Sequence, residues 1–325
     1  MKNFLVKTLA STALSLVAFS SVALAAYPDR PIRVIVPFAP GGSTDIVTRI
    51  VTTKMSEILG QSIVVENKGG AGGAIGAQEA AKAKPDGYTL SIASVSTLAV
   101  NPACKPNDLG YDPFKDFIPV SNFANVPNVL SVHPSFPAKN LEEFLKTVKE
   151  NPGKFSYGSS GQCSVLNLLG EAFKQATGTD IVHVPYRGAG PAVADAIAGH
   201  IEILFDNLPS SHAHIQAESL RALAIANPER LADFPSTPTF KELGYPQLNR
   251  MVWYGLLAPA GTPKEVIDTL HKATTEALQD ERVKASLLKQ GAFASGNSPE
   301  EFAKEIKEQY DWAKEVVAKG KIELR

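Results

Sequence analysis

The chain has 325 residues and a mass of 34.6 kDa, which is enough for about two ordinary domains and excludes a mini-protein held together by disulfides. Apolar residues make up 44% and charged residues 20% of the chain, as in globular proteins and unlike disordered or fibrous sequences. The formal net charge is -1 and no segment collects five or six like charges, which argues against a nucleic-acid-binding protein.

Residues 1–25 have the pattern of a secretory signal peptide. Lys2 and Lys7 form a short basic region, residues 9–19 are mostly apolar, and the segment ends in Ala-Leu-Ala, a small-x-small cleavage pattern. We expect cleavage after Ala25 and export of the mature chain. The alternative is an N-terminal membrane anchor, but the apolar run is shorter than the roughly 20 residues that span a bilayer.

The first part of the mature chain alternates short apolar runs with helical patterns. This order of strand, helix, strand, helix and strand predicts a parallel sheet with helices on both faces. Strands are predicted over residues 32–36, 62–66 and 88–93, and helices over residues 43–59 and 74–82.

A second series of the same kind follows and predicts a second sheet. After a Pro-rich stretch come a strand over residues 252–258 and three helices, which begin at 263, near 280 and at 299 and are expected to cover the first sheet. The second series has predicted strands over residues 128–132, 155–158, 181–184, 201–205 and 221–226, and predicted helices over residues 141–149, 164–176 and 191–198.

The two series predict an α/β fold of two lobes, each a mainly parallel sheet flanked by helices. Residues 26–125 and 249–325 are expected to form lobe 1, and residues 126–248 to form lobe 2. No low-complexity linker separates them, so the chain is expected to cross between the lobes at hinges near 125 and 248.

The chain has two cysteines, Cys104 and Cys163. Because export leads to an oxidising compartment, we predict that they form a disulfide. The alternative is two separate buried thiols, and one pair of this spacing does not make a metal site.

Three loops share one geometry, in which a strand ends at a glycine-rich turn that opens a helix. Ligands of open α/β sheets bind at such loops, where unpaired backbone N–H groups and the helix dipole suit an anion such as a carboxylate. The alternative is that Ser43 and Ser164 cap helices and that Pro191 fills a first-turn position. The loops span residues 37–45, 157–164 and 185–191, and the candidate ligand-binding residues are Phe38, Ala39, Gly41, Gly42, Ser43, Thr44, Asp45, Ser159, Ser160, Cys163, Ser164 and Tyr186, with Ser94 after the third strand.

Asp206 is a further candidate because it follows an apolar strand. Its carboxylate would receive a ligand ammonium, which favours an amino acid as the ligand. The alternative is that Asp206 caps the helix near Pro209. Phe38 and Tyr186 are expected to close over the carbon chain of the ligand, or else to pack between the lobes.

Motifs of known enzyme classes are incomplete. The glycine runs at 69–76 and 188–193 lack the third glycine of a dinucleotide fingerprint, and residues 158–162 miss a G-x-S-x-G nucleophile elbow by one position. We therefore expect no cofactor. His212 and His214 have no third ligand at zinc-like spacing, so no metal is expected either. The remaining histidines singled out as structural residues are His133, His183 and His200.

Several segments resemble the Bug family, the periplasmic solute receptors of tripartite tricarboxylate transporters. The resemblance covers essentially all of the mature chain, and its motifs are specific in combination. The segments that carry it read YPDRPIRVIVPFAPGGSTDIVTRIV, VVENKGGAGGAIGAQEAAKAKPDGYTL, HVPYRGAGPAVADAIAGHIEILFDNLPSS and YGLLAPAGTP.

The resemblance implies a two-lobed Venus-flytrap fold of the type II periplasmic-binding-protein class, located in the periplasm. Such a receptor closes on a small organic acid or amino acid and docks on a permease of one large and one small membrane subunit. The resemblance also implies that residues 37–45 and 158–164 hold a carboxylate, largely through backbone N–H groups and bridging waters. We expect a monomer.

The chain departs from the common family pattern at two positions. Many relatives have a small residue where Cys163 stands and a His where Asn167 stands. Because Cys163 lies in the second loop, a bridge from Cys104 to Cys163 would fix that loop near the crevice between the lobes.

The leading hypothesis is a binding protein for a carboxylated solute, with glutamate or aspartate as the favoured ligand class, and not an enzyme. One rival is a secreted hydrolase or isomerase that uses Ser159 or Ser160 as nucleophile. Another is a sensor domain that presents its ligand-bound lobe to a histidine kinase.

Overall fold

A computed structural model describes residues 27–320 of the chain. The predicted signal peptide and the cleavage site after Ala25 lie outside the described residues. The strands form two separate sheets, each flanked by helices, which confirms the predicted two-lobed α/β fold.

The secondary structure elements alternate along the chain. The strands are β1 (Ile32–Val36), β2 (Ile63–Asn67), β3 (Thr89–Ser94), β4 (Phe117–Val126), β5 (Asn128–Val132), β6 (Ser156–Ser159), β7 (Val182–Pro185), β8 (Ile203–Asn207), β9 (Arg221–Ala226), β10 (Val252–Pro259) and β11 (Phe293–Ala294). The helices are α1 (Ser43–Leu59), α2 (Ala74–Ala81), α3 (Asn101–Cys104), α4 (Leu141–Lys149), α5 (Val165–Thr177), α6 (Ala189–Ala198), α7 (Leu208–Gln216), α8 (Lys264–Gln279), α9 (Glu281–Leu288) and α10 (Pro299–Gly320).

The first sheet has the strand order β11-β4-β10-β3-β1-β2. β1 pairs in parallel with β2 and β3, whereas β10 runs antiparallel to β3 and β4, and β11 runs antiparallel to β4. The sheet is therefore mixed, with β1 to β4 in one direction and β10 and β11 against them. β1 lies in the interior of this sheet, and its four apolar residues are buried, as expected for a strand covered on both faces.

The second sheet has the strand order β7-β6-β8-β5-β9. β6 pairs in parallel with β7 and β8, and β5 runs antiparallel to both β8 and β9. This sheet is also mixed, with β5 alone reversed. Helices α5, α6 and α7 pack on it, while α1, α2, α8 and α10 pack on the first sheet.

Glycines end the helices that lead away from the crevice. α1 ends at Gly60 and α5 at Gly178, both in the left-handed conformation with φ of 64° and 65°. Glycine adopts this conformation without a Cβ penalty and lets the chain turn back toward the sheet.

The chain crosses from the first sheet to the second between Val126 and Asn128, and it returns between β9 and β10. The side-chain amide of Asn128 donates to the carbonyl oxygen of Arg250 at 2.6 Å. The two crossings therefore touch each other.

The strand β4 was not predicted from the sequence. Its segment reads FIPVSNFANV, in which Pro119 and several polar residues hide the alternating pattern. Ser121 is nevertheless buried and donates its hydroxyl to the Asn297 carbonyl oxygen at 2.7 Å. Polar residues are tolerated in this strand because a distant loop supplies their partners.

The helices of the described part of the chain do not have the character of membrane spans. Between residues 27 and 320, every helix is too short or too polar to cross a bilayer.

Candidate functional site

A crevice lies between the two lobes and is walled by segments from both. It is lined by Phe38, Gly42, Ser43, Thr44, Ser94, Val95, Ser96, Ser160, Val165, Ala189, Asn207, Val252 and Tyr254. The structure thus brings together six of the residues predicted from the sequence, namely Phe38, Gly42, Ser43, Thr44, Ser94 and Ser160.

The N-terminus of α1 opens onto this crevice without a capping side chain. Gly42 occupies the N-cap position in an extended conformation, and no side chain there accepts a hydrogen bond from the first-turn amides. Ser43 and Thr44, which carry these amides, are buried at the crevice wall. A helix start of this kind presents amide donors and a positive dipole end to an anion.

Asp45 stabilises the loop before α1, residues 37–45, through hydrogen bonds and does not line the crevice. Its carboxylate accepts from the Gly41 N–H at 3.0 Å, from Arg49 at 2.9 Å and from Asn67 at 3.0 Å. Burial alone would raise the pKa of Asp45, but these donors outweigh it and lower the pKa. Gly41 and Asp45 therefore shape the loop without lining the crevice, and their contact with a ligand stays a prediction.

The N-terminus of α6 meets that of α1 across the boundary between the lobes. Gly188 occupies its N-cap position, again without a capping side chain. The backbones approach so closely that a Cβ placed on Gly190 would collide with the carbonyl oxygen of Pro40. Two positive helix ends in such proximity are unfavourable together, and an anion beside them would relieve the repulsion.

Several amides of the second predicted loop, those of Gly161, Cys163 and Ser164, are already hydrogen-bonded and are not the unpaired donors that the sequence analysis expected. Ser164 caps α5 by accepting from the Asn167 N–H at 3.2 Å, and the Asn167 side chain accepts from the Cys163 N–H at 3.0 Å. The Val165 N–H donates to the Ser96 hydroxyl of the other lobe at 3.0 Å. Ser164 is thus a helix cap, and Ser160 is the member of this loop at the crevice.

Side-chain hydrogen bonds join the lobes at the crevice. Ser43 donates its hydroxyl to the Asn207 carbonyl oxygen at 2.7 Å and accepts from the Ser210 N–H at 3.0 Å. The Tyr254 hydroxyl donates to the Asn207 side-chain oxygen at 2.7 Å. Asn207 and Tyr254 were not predicted from the sequence, although the position of Asn207 at the end of β8 was an available signal.

Asp206 lies at the end of β8, just before α7, and has no surface open to the crevice. It is fully buried, and it accepts from the Ser210 hydroxyl at 2.6 Å, from the Ser211 hydroxyl and from the Asn207 N–H at 2.8 Å. Burial raises the pKa of Asp206 to about 6, although these donors favour the charged form. Asn207 is the N-cap residue of α7, and the Ser210 N–H of the first turn donates to Ser43 and not to Asp206. Asp206 is therefore a buried acceptor for two hydroxyls of this helix, and the capping alternative is not confirmed.

Phe38 and Tyr186 differ in their positions. Phe38 is buried at the crevice wall, whereas Tyr186 donates its hydroxyl to Asp195 at 2.7 Å and does not line the crevice. Ala39 donates its N–H to the Arg187 carbonyl oxygen at 3.1 Å. Ala39 therefore belongs to the contact between the lobes, whereas Tyr186 packs within lobe 2.

The predicted disulfide between Cys104 and Cys163 is confirmed. Their Cα atoms are 6.1 Å apart, within the usual range for bridged cysteines. Cys163 is buried, and Cys104 is partly exposed.

The crevice is nearly closed in this structure. The space that accepts the centre of a water molecule is about 10 Å³, which is room for about one water. A solute of several carbon atoms needs more space, so the lobes have to separate before such a molecule enters.

Ser159 hydrogen-bonds to His183, but the pair does not form a catalytic site. The Ser159 Oγ lies 2.6 Å from His183 Nε2, and Ser159 is fully buried away from the crevice. His183 Nδ1 lies 3.3 Å from the Asn167 side-chain nitrogen, so an amide and not a carboxylate orients the ring. The pair lacks the access and the acid of a catalytic triad.

We expect His183 to make folding sensitive to acid. Burial lowers the pKa of His183 from 6.5 to about 4, and protonation of Nδ1 would also oppose the Asn167 amide donor. The unfolded chain therefore binds a proton below pH 6.5 that the fold accepts only near pH 4, so stability is lost as the pH falls through this window. The loss at pH 4 is about 3 kcal/mol.

The measurement is urea unfolding of wild type and of His183→Gln between pH 7 and pH 4. The difference in unfolding free energy should shift in favour of the variant by about 3 kcal/mol over this range. Asp206 has the opposite effect, because its raised pKa stabilises the fold as the pH falls. Wild type and His183→Gln both contain Asp206, so its contribution cancels in the difference between them. Parallel pH profiles for the two proteins would show that His183 does not titrate as described.

Within residues 27–320, no group of three or more His, Cys, Asp or Glu side chains is arranged to hold a metal ion. His212 instead bonds to Asp233 through Nε2 at 2.8 Å. The expected absence of a metal stays a prediction.

The two lobes and the crevice between them have the architecture of the periplasmic binding proteins. The chain belongs to the family described as the tripartite tricarboxylate transporter family receptor, whose family model matches residues 47–322. It is 40% identical to Protein BugT of Bordetella pertussis over 267 residues, which cover 82% of this chain and 82% of BugT.

Three solved structures have the same fold at high similarity. One described as a periplasmic transporter has a TM-score of 0.91 and 66% identity, covering 92% of this chain and all of that chain. A protein of R. palustris solved with adipate has a TM-score of 0.87 and 33% identity, with coverage of 91% and 99%. MatC of Rhodopseudomonas palustris, solved with bound malate, has a TM-score of 0.86 and 32% identity, with coverage of 90% and 100%.

Proposed function

We propose that this chain captures a small carboxylate in the crevice and delivers it to the large and small membrane subunits of a tripartite transporter. The observation that carries the proposal is the meeting of two uncapped helix starts, those of α1 and α6, at the crevice. Their amide donors and dipoles favour a negative group between the lobes. Family membership supports the same role.

The ligand contacts follow from this arrangement. The amides of Gly42, Ser43 and Thr44 would hold one carboxylate, with Ser160 on the opposite lobe. Phe38 would cover the carbon chain, since burial of each CH₂ contributes roughly 0.8 kcal/mol. Ser94 lies at the same wall and offers a hydroxyl.

Two ligand chemistries fit this site. Plain dicarboxylates come first, because two of the similar structures were solved with adipate and malate. Glutamate and aspartate, the class favoured by the sequence, come second because they add an ammonium group. Asp206 would act on that ammonium only through the hydroxyls of Ser210 and Ser43, since its own oxygens are occupied.

Transport by such a receptor is a population shift and breaks no bond. Residues 26–125 with 249–325 would move against residues 126–248 about the two crossings, and a ligand that contacts both lobes would stabilise the closed state. The permease would recognise that state. We place the mature receptor in the periplasm as a monomer, without cofactor or enzymatic activity.

Isothermal titration calorimetry with malate, adipate, glutamate and aspartate tests the proposal. We expect binding of at least one of these acids with one site per chain, no binding of its dimethyl ester, and recovery of the acid unchanged. Conversion of the acid to a product would support the enzyme hypothesis instead. If none of the four acids bound and a neutral solute did, the carboxylate site would be refuted.

A further inference from the structure

The disulfide joins the two lobes to each other. Cys104 ends α3, which lies between β3 and β4 of the first sheet. Cys163 precedes α5, in the connection between β6 and β7 of the second sheet. The bridge is therefore a covalent link across the boundary along which the crevice has to open.

Noncovalent contacts surround the bridge on both sides. The glycine at 72 lies against the backbone of Gln162 and Cys163, so that a Cβ there would collide with the Gln162 carbonyl oxygen. Asn101, on the same helix as Cys104, fixes this glycine by donating to its carbonyl oxygen at 2.8 Å. The Ser96 hydroxyl, which accepts from the Val165 N–H, adds a further contact between the lobes.

We propose that the Cys104–Cys163 disulfide is a tether between the lobes that limits how far the crevice opens. Hydrogen bonds such as those of Ser43 and Tyr254 can break when the lobes separate, but the disulfide keeps its Cα atoms within about 7 Å. The loops without a bridge, residues 37–45 and 185–191, must then provide most of the opening. The bridge thus fixes the side from which a solute enters.

The tether also has a consequence for affinity, which rests on the proposed function. It removes widely open conformations from the ligand-free ensemble, so a larger fraction of molecules is close to the binding-competent state. The apparent dissociation constant is inversely proportional to that fraction, so it rises when fewer molecules are close to the binding-competent state. Removal of the bridge is therefore expected to weaken binding by about three- to tenfold.

The double variant Cys104→Ser/Cys163→Ser tests the tether in the full mature chain. Small-angle X-ray scattering without ligand should give a larger radius of gyration for the variant than for wild type. Addition of malate or adipate should bring the two values together. Calorimetry with the same acids should show the three- to tenfold weaker binding of the variant.

Wild type treated with a phosphine reductant is the matched sample, because it should acquire the radius of the variant while the reductant leaves the variant unchanged. If the variant folds poorly, the reduced wild type tests the tether in its place, provided that circular dichroism shows that the reduced protein is folded. Equal radii for the bridged and unbridged ligand-free proteins would overturn the tether. If no acid binds to either protein, the proposed function fails while the comparison of radii still tests the tether.

Discussion

Gly190→Ala should weaken binding of the carboxylate at least about tenfold while leaving each lobe folded. Gly190 is the second residue of α6 and has ordinary helical geometry, so alanine suits the helix itself. The added Cβ, however, collides with the Pro40 carbonyl oxygen of the opposite lobe when the crevice is closed. The variant therefore penalises the closed state, and a tenfold loss corresponds to about 1.4 kcal/mol.

Calorimetry of Gly190→Ala with malate or adipate provides the measurement, alongside thermal unfolding without ligand. Ala194→Ser is a matched control, since Ala194 lies on the exposed side of the same helix and its added hydroxyl reaches solvent. We expect wild-type binding for the control and unchanged or slightly higher ligand-free stability for Gly190→Ala. Wild-type affinity of Gly190→Ala would mean that binding does not require this approach of the lobes.

Asp206→Ala should destabilise the protein by about 2–4 kcal/mol at pH 7. The substitution leaves the Ser211 hydroxyl and the Asn207 N–H without their buried acceptor, and each orphaned donor costs about 1–3 kcal/mol, whereas the Ser210 hydroxyl keeps the Asn207 carbonyl oxygen as an acceptor. Relief of the buried charge, seen in the raised pKa of Asp206, offsets part of this loss. Urea unfolding at pH 7 measures the net effect.

Two further variants separate the causes. Asp206→Asn keeps one acceptor oxygen and removes the charge, so it should lose less stability than the alanine variant. Asp268→Ala removes an exposed carboxylate that pairs with Lys264 and should change stability by less than about 0.5 kcal/mol. An alanine variant at 206 as stable as the control would contradict the role of Asp206 as a buried hydrogen-bond acceptor.

Local patterns were sufficient for most of the fold. The apolar runs of β1 and β5 and the helical periodicity of α1 and α4 gave bounds that the structure reproduces, because burial of one face or stripe dictates these patterns. The strand β4 was missed because its polar residues find partners about 175 positions away. No window of neighbouring residues contains that information.

The site was predictable to the extent that backbone geometry determines it. Gly42 and Ser43 line the crevice where the sequence analysis placed a site, because a glycine turn directly before a helix leaves the first amides of that helix open to a ligand. Asp206 and Ser164 were ambiguous, since a side chain beside a helix start can cap it or face a ligand, and the rotamer decides. Tyr254 gave no local signal, because its partner Asn207 lies 47 residues away on the other lobe.

Titration of the ¹⁵N-labelled mature protein with malate, followed in TROSY spectra, tests most directly whether amide donors at the start of α1 hold a carboxylate. We predict that the amide resonances of Gly42, Ser43 and Thr44 shift in saturable fashion with malate and stay in place with dimethyl malate. Saturable binding of malate that leaves these three amides unmoved, with shifts confined to surfaces outside the crevice, would contradict this role of the α1 amides.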